Sequence, residues 1–151
     1  MKLNLEDWTS IASLGLSVMF AVLLLSFYNF LIGPQGDGPE RVVDPGSLML
    51  QIIFISAAPC VVLAGFVFGM AKTYGARIGG TMLVAGGVIM IAGMAASLPL
   101  LARIPDQYVV GVVGFVPYFF IAAGVGVTAV GGYLVAASKR RPISSNLDDL
   151  R

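Results

Sequence analysis

Four stretches of this chain contain no Asp, Glu, Lys or Arg: residues 8–36, 45–71, 78–102 and 107–138. Each is longer than the ~20 apolar residues that a helix needs to cross the hydrocarbon core of a bilayer, and each is too short for two crossings. Composition agrees. The 151 residues are 58% hydrophobic and only 11% charged, whereas soluble domains carry about 25% charged residues. The pattern predicts an all-α integral membrane bundle of four transmembrane helices, near 11–32, 47–70, 78–102 and 108–137. These form one membrane domain, 1–138, followed by a short basic-then-polar tail, 139–151.

The connections support that organisation. Residues 33–46, GPQGDGPERVVDPG, are too rich in Gly and Pro to continue a helix and read as an exposed, turn-rich loop. KTYGAR and RIPDQ are short, so successive helices are expected to be antiparallel neighbours. MKLNLEDW reads as a short interfacial lead, with Trp8 at headgroup level.

One motif competes with this reading. Gly124-x-Gly126-x-x-Ala129 matches a dinucleotide-binding turn, and Asp148-Asp149 follows at about the distance of a ribose-binding acid. The motif lies within the last charge-free run, however, where a phosphate would have to leave water at large cost. No second buried strand follows it, as a βαβ unit requires.

In a membrane the same glycines serve packing. Lipid offers helices no hydrophobic drive to associate, so close van der Waals contact between small residues takes its place. Gly124, Thr128, Gly132 and Ala136 recur every four residues. Gly65 and Gly69 form a G-x-x-x-G on the second helix. Gly79, Gly86 and Gly93 lie seven apart on the third, and Ser13, Ser17 and Ala21 line the first. All four helices therefore carry a face suited to contact with protein. Pro59 and Pro117 interrupt the second and fourth helices and predict kinks.

Chemical equipment is sparse. The chain has no histidine and one cysteine, Cys60, set in an apolar run, which removes the usual haem, copper and non-haem iron ligands and any internal disulfide. Met70, Met82, Met90 and Met94 read as adaptable core fillers rather than a Cu(I) site. No ionisable side chain sits at mid-depth, where ion-coupled transporters keep one. Neither a metal, a cofactor, a catalytic residue nor a nucleic-acid partner is expected.

Orientation follows from the cations. Lys2, Lys72, Arg77, Lys139, Arg140, Arg141 and Arg151 fall on the side of the termini, and only Arg41 and Arg103 on the other. Positive charge stays inside, so both termini are expected to be cytoplasmic, in a prokaryotic cell membrane. Lys139, Arg140 and Arg141 are then placed to meet anionic lipid headgroups. The functional expectation is a small non-catalytic accessory or assembly subunit, whose partners are the bilayer and other membrane subunits or itself. The alternative is a homo-oligomeric channel or carrier for a neutral solute, with Gln51, Ser56, Ser97, Tyr118 and Thr128 lining a polar path.

Overall fold

The computed structural model describes residues 5–74 and 77–139. Among them every regular element is helical, and four helices are long and apolar enough to cross a membrane: Asp7–Ile32, Pro45–Met70, Ile78–Leu101 and Gly111–Ser138. The chain is thus a helical, multi-pass membrane bundle.

Helix α1 (Leu5–Ile32) begins inside the expected interfacial lead, whose residues 5–8 are helical, with Asp7 buried. It stops at Gly33, whose φ of 73° only glycine adopts readily. The Gly33 N–H reaches back to the Asn29 carbonyl, and the Gly38 N–H closes on the Ile32 carbonyl at 3.0 Å. A side chain at Gly33 would collide with the Gly38 carbonyl.

Helix α2 (Pro45–Ile52) starts earlier than the loop composition suggests. The Asp44 carboxylate accepts from the Gly46 N–H at 3.1 Å, and Pro45 occupies the first turn, where its missing N–H costs nothing. A π turn at Ile53–Ala57 follows, and α3 (Ala58–Tyr74) completes the second span. There the Ala58 N–H bonds the Ile53 carbonyl, five residues back. The wider turn lies immediately before Pro59, which has no N–H to continue the regular ladder.

Helix α4 (Arg77–Leu101) forms the third span and contains Pro99 in its last turn. A 3₁₀ turn at Asp106–Tyr108 precedes α5 (Gly111–Lys139), which contains Pro117. The fourth span therefore begins after Tyr108 rather than at it. The Tyr108 ring covers Gly38, so this residue ties two loops together instead of starting a helix. Lys139 ends α5; Arg140, Arg141 and the rest of the tail lie outside the described residues.

The short connections make successive spans antiparallel; the longest packing joins one such pair, α4 and α5, and the next longest joins two spans that are not successive, α1 and α4. α4 packs along α5 on one side and along α1, parallel to it, on the other, while α3 and α4 touch little. The second span leans chiefly on α1 and closes the ring more loosely against α5. Large side chains fill the space between all four spans. Phe20, Leu24, Tyr28, Met49, Met90, Met94, Val113 and Phe120 belong to one buried cluster, with the Phe20 and Phe120 rings 4.6 Å apart.

Candidate functional site

The helix faces that the bundle uses, and those that it leaves open, define the candidate site. The α4–α5 seam is the closest approach. A Cβ added at Gly87 would lie 2.7 Å from the Gly124 carbonyl oxygen, and one at Gly131 the same distance from that of Gly80. Gly80 and Gly87 are one heptad apart on α4, as are Gly124 and Gly131 on α5, so the antiparallel backbones meet twice, two turns apart. Thr128 lies over Gly87 and donates its hydroxyl to the Gly124 carbonyl at 2.8 Å. Gly124, the first glycine of the nucleotide-like motif, is therefore packed against another backbone.

The other side of α4 meets α1. A Cβ at Gly86 would stand 3.1 Å from Ser17 Oγ, and one at Gly93 2.6 Å from the Ala21 Cβ. Gly79 is buried as well. The glycine doublet 86–87 thus serves two neighbours at once, Gly86 toward α1 and Gly87 toward α5, because consecutive residues on a helix point about 100° apart. Of the heptad-spaced Gly79, Gly86 and Gly93, the last two face α1, while Gly80 and Gly87, which face α5, lie outside that row. The doublets themselves were the available signal. On α5, Gly132 is exposed with nothing within 4 Å, and its neighbour Gly131 faces α4. A strict four-residue row drifts around a helix with 3.6 residues per turn; alternating steps of four and three hold one face.

The first helix uses Ser13 and Ser17 for polar contact with the second span. Ser13 donates to the Cys60 carbonyl at 3.2 Å, Ser17 donates to the Ser13 carbonyl at 3.1 Å, and Cys60 Sγ lies 3.1 Å from Ser17 Oγ. All three side chains are buried. A second polar tie joins α1 to α5. The Tyr28 hydroxyl donates to the Val113 carbonyl at 2.6 Å, and Val113 is the residue whose carbonyl Pro117, four positions on, cannot bond. The phenol from α1 supplies the donor that the proline lacks.

The candidates for a polar path do not converge. Ser56, Ser97 and Thr128 each donate to a carbonyl of their own helix, while Gln51 and Tyr118 are exposed on the outside. Among the described residues no three of His, Cys, Asp and Glu approach closely enough to share a metal ion.

What remains open is an outward surface. Gly65 and Gly69 on α3 are exposed, and an added Cβ at either would meet nothing within 4 Å. Gly126 and Gly132 on α5 are open in the same sense. The spans that carry them are also the least enclosed, with 28% of their apolar windows buried, against 39% in the first and third spans. No family model matches this chain, and no curated protein or solved structure is significantly similar to it.

Proposed function

We propose that this protein is a small non-catalytic subunit of a larger membrane complex, held there by the outward glycine face of α3. The observation that carries the reading is the contrast among glycines. Those on the α1–α4 and α4–α5 seams are consumed inside the bundle, whereas Gly65 and Gly69 form a G-x-x-x-G ridge against which no described residue packs. In lipid such a ridge gains most from a second backbone, because apolar side chains are already solvated by acyl chains. The distribution of Lys and Arg supports an orientation with both ends of the chain in the cytoplasm of a prokaryotic cell.

The test is to extract native membranes in a mild detergent, purify the tagged full chain and measure the intact mass with identification of every polypeptide. Recovery in fixed ratio with unrelated chains is expected, and Gly65→Leu with Gly69→Leu should release the protein while its helical content persists. Recovery only as copies of itself would replace this reading with a homo-oligomeric one.

A further inference from the structure

A second feature, independent of any assembly role, lies between α1 and α4 at the end of the bundle away from Leu5 and Lys139. A shallow groove of about 550 Å³ is lined there by Leu25, Ser26 and Asn29 from α1 and by Ala96, Pro99, Leu100 and Arg103 from the end of α4 and its following turn. Its size falls in the ~300–1,000 Å³ range of small-molecule sites. Ser26 and Asn29 are three apart and so share one face of α1, and Ala96, Pro99, Leu100 and Arg103 form a stripe along the parallel neighbour.

The polar groups are what make this groove unusual. Most other helix hydroxyls among the described residues, those of Ser10, Ser13, Ser17, Ser56, Thr81, Ser97, Thr128 and Ser138, donate to a backbone carbonyl. The Ser26 hydroxyl, the Asn29 amide and the Arg103 guanidinium have no hydrogen-bond or ion-pair partner among the described residues. All three are exposed. Asn29 is three residues from the end of α1 and Arg103 two beyond the end of α4, which places them at headgroup level, with Leu25 and Ala96 deeper.

We propose that this groove binds one phospholipid, its phosphate held by Arg103 and the Asn29 amide and its upper acyl chain laid over Leu25, Ala96 and Leu100. Charge complementarity selects the occupant. An unpaired guanidinium at the bilayer surface matches the paired oxygens of a phosphate, and the groove opens toward the lipid that surrounds it. Ser26, deeper than Asn29, faces the ester linkage, the last polar layer before hydrocarbon.

Native mass spectrometry of the detergent-purified full chain tests this with phosphatidylglycerol, phosphatidylethanolamine, diacylglycerol and inorganic phosphate as probes. One copy of either phospholipid should remain bound per chain, with diacylglycerol and free phosphate failing to bind or compete. Arg103→Gln should weaken retention about tenfold, the scale of a lost hydrogen bond to a charged group, and Arg103→Lys should restore part of it. Arg41→Gln, which changes the other cation at this end of the molecule, should leave retention unchanged. The proposal fails if diacylglycerol binds equally, if free phosphate displaces the lipid, or if the Arg103 and Arg41 changes have the same effect. Circular dichroism of each variant confirms that the helices remain, which Arg103, exposed and beyond the end of α4, should not disturb.

Discussion

Tyr28 and Pro117 show how a single side chain repairs a backbone defect inside the bundle. Proline leaves the Val113 carbonyl without its intrahelical donor, and Val113 is fully buried, where no water can replace it. The Tyr28 hydroxyl does so at 2.6 Å. Tyr28→Phe should therefore lower stability by about 1–2 kcal/mol, the scale of an interhelical hydrogen bond in lipid. In a Pro117→Ala background the new alanine N–H can bond Val113 itself, so the same substitution should cost less than half as much. Unfolding in mixed micelles of mild and denaturing detergent measures both, and strictly additive losses would mean that the phenol does not compensate for the proline. Cys60 allows a simpler check. Its thiol is buried between Ser13 and Ser17, so maleimide should label it only after denaturation, and rapid labelling of the folded protein would contradict this packing.

Among elements, α4 is the member on which both long seams depend, and its glycine doublets explain why. Replacing glycine by alanine in a helix ordinarily gains up to about 1 kcal/mol. At Gly87 the added carbon would meet the Gly124 carbonyl and the Thr128 backbone N, at 2.7 and 2.8 Å, and neither can move without parting the helices. Overpacking of this kind costs about 1–3 kcal/mol, so steric conflict should win over propensity. Gly87→Ala should destabilise the bundle, as should Gly131→Ala. Gly65→Ala, with nothing within 4 Å, should be neutral or slightly stabilising in the isolated chain. Equal effects of Gly87→Ala and Gly65→Ala on the detergent unfolding midpoint would refute the assigned seams.

At the scale of the whole molecule, α1 and α4 run parallel and α5 returns against α4, so the described ends of the chain lie at one end of the bundle. A fluorescent reporter that folds only in the cytoplasm should give the same signal fused to either terminus, and none when inserted between Gly36 and Asp37. Opposite signals from the two termini would exclude an even number of crossings. The four helical spans were legible in the sequence, because the length of each charge-free run and the punctuation between runs depend on local composition and on the thickness of a bilayer. Pro59 and Pro117 were legible as defects for the same reason: a missing N–H is a local fact. What each defect becomes was not, since a π turn beside one and a tyrosine from another helix at the other depend on what stands nearby. Which glycine of a doublet faces which neighbour was likewise beyond the sequence, as was the openness of Gly65 and Gly69. Small residues at helical spacing declare that a close approach is allowed, and only the arrangement of all four spans decides whether a backbone, a lipid or another chain takes it.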